Sequence, residues 1–301
     1  MISCIDRKDL DVVKYNDCIA NSIQSNIFGF SWYLDIVTDN WKVLVLNDYE
    51  AVMPLPIRKK LFIEYVHPPF WLIQLGIYSR EVEDENEFLI ELFDDFKFVE
   101  LRMNAKNSFS MFDEFQKEKQ LQTLSLENSY ESIYSNYKKD RKKDLRKAAK
   151  FDLTENWGDS PSKLIELFKN NVGTRTKNIL EKDYSVLNQL IKACIEKKLG
   201  EVLAIYDKDS NLVASGFFLK YKGEVTILVS STDFKNRNNG ANTFLIDRAI
   251  YKYERNFTKF NFGGSSMPSI ANYFKSLGGS SEGYQQLYYN NLPKLIKWIK
   301  R

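Results

Sequence analysis

In the second half of the chain the hydrophobic pattern changes period several times, and each change marks an element. PSKLIELFKNN and YSVLNQLIKACIEKK carry apolar residues at three- and four-residue steps, which predicts two helices; Pro161 suits a first helical turn and Gly200 a C-terminal cap. EVLAIYD, NLVASGFFLKY and EVTILVSSTD then read as β-rich strands separated by DKDSN and KG, turn signals of an antiparallel meander. ANTFLIDRAIYKYER returns to the helical period, TKFNFGG to alternation, MPSIANYFKS to a helix and GYQQLYYN to a strand, before a short terminal helix containing Leu295, Ile296 and Trp298. The order is ααβββαβαβ.

The first half echoes this order. Helical signals between Asp17 and Val37 precede WKVLVLN, EAVMPLPIRKK and LFIEYVH as three closely spaced strands. An acidic helix EDENEFLIELFDDF, a strand KFVELRMN, a helix FDEFQKEK and a strand LQTLSLE follow, so helix, strand, helix and strand recur. A length of 301 residues suits two domains. A boundary near Leu126 to Tyr130 divides them into residues 1–128 and 129–301, linked by the basic helix that follows.

With 21 Phe, 17 Tyr and 5 Trp against 28% charged residues, the chain has ample apolar bulk and is expected to be globular. A net charge of +3 excludes a general polycation, so any phosphate or nucleic-acid contact must come from local clusters. Cys4, Cys18 and Cys194 are widely spaced, odd in number and lack a CxxC pair, which suggests neither disulfides nor a zinc site and fits a reducing cytoplasm; no metal is expected. MISCIDRKDLD lacks the apolar core of a signal peptide, and no stretch reaches the ~20 apolar residues of a spanning helix. The one histidine, His67, stands beside Pro68-Pro69 and reads as structural, which removes most His-based triads.

Four segments carry candidate chemistry. KFNFGGSSMPSIANYFKSLGG joins a strand (Phe260, Phe262) to a turn at Gly263 and Gly264, where backbone can approach a ligand closely; Ser265 or Ser266 can cap the helix that ends in Phe274 and Lys275. Residues 138 to 150 hold eight Lys or Arg and two Asp, ordinarily a solvated face. Arg141 differs, because it falls on the stripe of Tyr134, Tyr137, Leu145 and Ala148 and so wants an anionic partner, an internal carboxylate or a substrate phosphate. Arg175, in the polar NNVGTRTKN, can offer its planar fork to phosphate or carboxylate oxygens, or serve as a loop residue. SSTDFKNRNNGANTFLID lies between a strand and a helix, where backbone N–H groups can cradle an anion.

From about Tyr130 to Tyr289 these pieces, in this order, resemble the GNAT acyltransferase fold, and the duplicated pattern is similar to the FemABX family and its BioF2-like relatives. YSNYKKDRKKDLRKAAK resembles that family's basic helix, NVGTRTK its Thr-x-Arg-type segment, and FNFGGSSMPSIANYFKSLGG its Gly-Gly to Phe-Lys segment. The resemblance implies an α/β (α+β) chain of two tandem GNAT-like domains, each a mixed, mostly antiparallel sheet flanked by helices. It also implies amide formation on an amine-bearing acceptor. By the same resemblance Arg175 meets acceptor phosphates, Arg141 lies near the interdomain cleft, and Gly263, Gly264 and Ser265 line the substrate site. Arg237 and Gly240 match the GNAT pyrophosphate loop that holds coenzyme A, with Asn242 in place of its last small residue. Many GNAT enzymes carry a general-acid tyrosine on the following helix; Phe274 best matches that position here, with Tyr273 facing another direction.

Transfer of an acyl group to an amine needs alignment and oxyanion stabilisation but no enzyme nucleophile. Lys275 can supply positive charge near the carbonyl oxygen or a donor phosphate. The donor is a substrate rather than a bound cofactor: aminoacyl-tRNA, with a cell-envelope precursor as acceptor and the basic helix meeting RNA phosphate, or acyl-CoA in a small-molecule N-acetyltransferase. A binding protein that kept the fold without catalysis is the third reading.

Overall fold

A computed structural model describes residues 1–60, 62–81, 84–264 and 267–293. The chain forms two compact units, one of Met1–Lys119 with the C-terminal segment from Gly283, the other of Gln120–Glu282. The proposed terminal helix around Leu295, Ile296 and Trp298 lies outside the described residues, as does Ser265.

The first unit runs β1 (Ile2–Asp6), α1 (Val12–Asn21), α2 (Ser31–Val37), β2 (Trp41–Leu46), β3 (Ala51–Lys60), β4 (Ile63–Val66), β5 (Tyr78–Ser79), α3 (Asn86–Asp95) and β6 (Phe98–Arg102). Its sheet is antiparallel from β1 through β4, with β5 beside the start of β3, and parallel where Val66 of β4 meets Val99 of β6. Leu44, Met53, Leu55 and Val99 pack with Phe88, Leu89 and Leu92 of α3 into the core. The amphipathic period of EDENEFLIELFDDF is thus used as the sequence implies.

FDEFQKEK is not a helix. Phe112 takes a left-handed φ of 64°, Asp113–Phe115 make a single 3-10 turn, and β7 (Gln116–Ser125) begins at once. Its charged residues gave an amphipathic appearance, yet the residues from Leu121 onward are those of a strand interior.

After β7 come α4 (Tyr130–Ser135), α5 (Lys139–Lys150), β8 (Thr154–Trp157), α6 (Pro161–Asn170), α7 (Glu181–Glu196), β9 (Gly200–Tyr206), β10 (Leu212–Tyr221), β11 (Glu224–Thr232), α8 (Ala241–Tyr253), β12 (Lys259–Gly264), α9 (Pro268–Lys275) and β13 (Ser280–Asn290). The second unit's sheet is ordered β8-β9-β10-β11-β12-β7, antiparallel except for the β11/β12 pair. Phe218, Phe260, Leu245, Ile250 and Tyr253 form its core, with Tyr134 and Leu145 packed against it. β8 is the strand that hydrophobic patterning misses, because Thr154, Glu155 and Asn156 are exposed and polar at the sheet edge.

Each sheet has the same plan, a meander followed by one parallel pair and a closing antiparallel strand. The closing strands are exchanged in sequence: β13 pairs with β6 in the first unit through Gln286–Asn290, and β7 pairs with β12 in the second. The units therefore differ from a single cut at residues 128/129. The observed class is α/β (α+β), two units of mixed, mostly antiparallel sheet flanked by helices.

Candidate functional site

The second unit's parallel pair is short. Glu224, Val225 and Thr226 of β11 lie beside Lys259, Phe260 and Asn261 of β12, where their ladder ends. Both strands carry a device for this. On β11 the register with β10 steps from Phe217/Val229 to Phe218/Ile227, so Leu228 is an extra residue, a β-bulge that bends the strand. On β12 the Asn261 side chain accepts from the Gly263 N–H at 3.0 Å, and Gly263 takes φ +76°, where a Cβ would also sit 3.0 Å from the Ile227 carbonyl oxygen. Only glycine fits that turn without strain. Gly264 ends the strand.

Beyond the end of β11, Phe234 opens a 3-10 segment, its N–H donating to Asn171 Oδ1 at 2.7 Å, while Asn171 Nδ2 donates to the Leu167 carbonyl at the end of α6. Two cations settle on the Phe234 ring. The Arg175 guanidinium carbon is 4.3 Å from its centroid and that of Arg237 is 3.6 Å away. Cation–π contact orients both. Both are exposed, and among the described residues neither has a carboxylate partner. At roughly 8 Å, the widest separation those ring distances allow, their repulsion in water is about 0.5 kcal/mol, and it is larger at any shorter distance. A groove of about 730 Å³ adjoins Phe234, with Leu167, Asn171, Tyr206 and Lys235 in its walls.

A second polar group joins α5, α8 and α9. Arg141 Nη1 pairs with Asp144 Oδ2 at 3.0 Å and donates to Thr243 Oγ1 at 3.2 Å; its guanidinium lies 4.6 Å from the Tyr273 ring. Thr243 donates to Asp144 at 3.1 Å, which leaves Tyr273 OH to donate to Thr243, also at 3.1 Å. The anionic partner of Arg141 is therefore an internal carboxylate, although its buried Nε has no partner among the described residues. Burial pushes the Tyr273 phenol up, against the pull of Thr243 and Arg141. Tyr273, not its neighbour, meets this polar group. Phe274 stacks on Phe262 with centroids 4.6 Å apart and planes at 16°. Sequence reasoning set Tyr273 aside, and the alternation of polar Thr243 and Asp247 one turn apart on α8 was the available signal for a polar face there.

Gly240 follows directly on the 3-10 segment that carries Arg237. Gly240, at φ +82°, precedes α8, and a Cβ there would lie 2.2 Å from the Asp144 carbonyl oxygen of α5. The Ala241 N–H beyond it is already taken by Asn239 Oδ1 at 2.9 Å. Lys275 is exposed in the last turn of α9, its carbonyl accepts from the Gly278 N–H at 3.1 Å, and its ammonium has no hydrogen bond or ion pair among the described residues. Of the sequence candidates the fold thus brings together Arg175 and Arg237. Among the described residues no cluster of His, Cys, Asp or Glu could hold a metal ion, and no helix is long and apolar enough to cross a membrane.

No family model and no curated protein matches the sequence. Solved structures do match the fold. FemX superposes with a TM-score of 0.67 at 11% identity, over 97% of this chain and 99% of its own. The chain has the FemX-like tandem GNAT fold. A tandem GNAT protein from the clavulanic acid biosynthesis pathway aligns at TM-score 0.56 and 8% identity, over 98% of this chain and all of its own. A C-terminal domain assigned to a lysylphosphatidylglycerol synthetase from Agrobacterium fabrum aligns at 0.56 and 12%, over 93% and 92%.

Proposed function

We propose that this chain is an acyltransferase that forms an amide by moving an aminoacyl or acyl group onto an amine-bearing acceptor, with phosphate on one of the two substrates. The carrying observation is the pair of guanidiniums on Phe234, neither in an ion pair among the described residues, just past the end of β11. Kinship of fold with FemX and with a lysylphosphatidylglycerol synthetase domain supports an aminoacyl donor. So does Gly240, whose open side is filled by α5 instead of a ligand. A cell-envelope precursor is the acceptor that the FemABX resemblance implies.

In the step itself the acceptor amine attacks the ester carbonyl carbon, the C–N bond forms as the C–O bond to the donor ribose breaks, and the amine proton ends on the departing oxygen or in solvent. The developing oxyanion needs positive charge. Lys275, an exposed cation at the end of α9, would supply it. Arg175 and Arg237 hold the phosphate and place the reacting groups.

One observation favours an acyl-CoA donor: Arg237 and the N-terminal end of α8 keep the order of a pyrophosphate loop. Transfer of radiolabelled acyl groups from aminoacyl-tRNA and from acetyl-CoA to amine acceptors separates the two. Arg175→Ala and Arg237→Ala should each raise KM for the phosphate-bearing substrate at least about tenfold, the worth of a charged hydrogen bond. Labelled product with unchanged KM in both variants would refute the arginine assignment. Absence of transfer from either donor would leave a binding protein of this fold.

A further inference from the structure

The β3–β4 hairpin of the first unit carries a feature that the transferase reading does not use. Lys60 faces Ile63 across the ladder, and Phe62 lies in the connection just before Ile63. Phe62 has φ +67° and is 93% exposed. A bulky aromatic in the left-handed region is an outlier, since turns of this kind ordinarily take glycine or asparagine. The fold gains nothing from the ring, which touches solvent on nearly every side.

Charge surrounds it. Arg58 and Lys59 at the end of β3 are exposed, and among the described residues neither is in an ion pair. The cross-strand carboxylate that Lys59 faces, Glu64, is turned to Lys42 at 3.0 Å. The tip is thus an apolar apex on a cationic stem. A protein partner would need roughly 800 Å² of complementary surface around buried anchors. One ring and two cations fall far short of that, but they match the interface of an anionic bilayer, where an aromatic ring enters at headgroup depth and basic residues meet lipid phosphate.

We propose that the β3–β4 hairpin docks the protein on anionic membrane surfaces, with Phe62 inserted and Arg58 and Lys59 on the headgroups. The interaction is peripheral and reversible. It does not depend on which donor or acceptor the second unit uses.

Co-sedimentation with sucrose-loaded vesicles tests it, using phosphatidylcholine alone and a 7:3 mixture with phosphatidylglycerol, at low and high salt. Wild type should prefer the anionic vesicles by at least about tenfold, at roughly fivefold per cation, and lose that preference in high salt. Phe62→Gly should weaken binding about tenfold while melting no lower than wild type, because glycine relieves the strained φ. Arg58→Gln with Lys59→Gln should abolish the anionic preference. Equal binding by wild type and Phe62→Gly, or no preference for anionic vesicles, overturns the proposal. So does a wild-type dimer in sedimentation velocity that Phe62→Gly dissociates, since the tip would then serve a second copy of the chain.

Discussion

Substituting Gly240 with alanine separates two reasons for a glycine at the start of α8. If the residue exists to let a pyrophosphate approach the helix N-terminus, alanine should cost only what its left-handed φ demands and remove ligand binding. The structure gives a different reason. A Cβ at Gly240 would stand 2.2 Å from the Asp144 carbonyl oxygen and 2.9 Å from its carbon, where ordinary contact begins at 3.4 Å, so α5 must retreat by about 1.2 Å. That retreat opens the packing between α5 and α8, at an overpacking cost of about 1–3 kcal/mol. The left-handed φ of +82° adds about 1–2 kcal/mol. Gly158 provides the control, with φ +78° and nothing within 4 Å of its Cβ direction, so that alanine there meets the conformational cost alone. Gly240→Ala should therefore melt below Gly158→Ala by at least about 2–4 °C, the shift expected per kcal/mol for a unit of this size. Calorimetry of the two variants beside wild type decides it. Equal melting of the two would refute the packing account and restore a ligand-binding reason for Gly240.

Asp247 and the thiols yield two further predictions. Asp247 is buried on α8, where burial raises its carboxyl more than the 2.8 Å hydrogen bond from Tyr130 and the charge of Arg248 lower it. The folded state then holds this proton to higher pH than the unfolded state does, so wild type should lose stability relative to Asp247→Asn as pH rises from 3.8 through the raised folded value. Paired urea melts between pH 4 and 8 measure the difference, and a difference that grows in favour of wild type would contradict it. Burial pushes the thiols of Cys18 and Cys194 up to about 11 and about 12, and burial with Asp95 nearby pushes Cys4 up to about 11. A chromogenic disulfide at pH 8 should modify Cys4 slowly in the native protein and all three only after denaturation; rapid reaction of all three in the native state would contradict the burial.

Local pattern made most of the second unit legible. β12 and α9 were readable from KFNF alternation and from Pro268 at a first helical turn, and the meander β9–β11 from its turn residues. The break at Asn136–Lys138 was not, because the apolar stripe through Tyr134, Tyr137 and Leu145 continues across it and all three pack on one core. Adjacent residues on a helix differ by about 100° in direction, so no spacing rule alone could assign Tyr273 rather than Phe274 to the polar group. The meeting of Arg175 and Arg237 on Phe234 joins segments far apart in sequence, and the exchange of β7 and β13 between sheets depends on pairing that one strand's composition does not specify.

The basic helix α5 has two faces, and they make opposite demands. Arg141, Asp144 and Ala148 turn inward to Thr243, Tyr273 and Gly240, so any change there perturbs packing along with binding. Lys139, Lys143 and Lys150 are exposed. If an aminoacyl-tRNA is the donor and these lysines meet its phosphates, replacing all three with glutamine should lower the slope of log K against log salt by about 3, near 1 per lost contact. Stability should change little, as surface substitutions of this kind fall within about 0.5 kcal/mol. Filter binding of charged tRNA across a salt series, with melting curves of the same variant, reads both quantities. An unchanged slope with unchanged stability would make α5 a solvated face, remove its RNA role, and move weight from the tRNA donor to acyl-CoA.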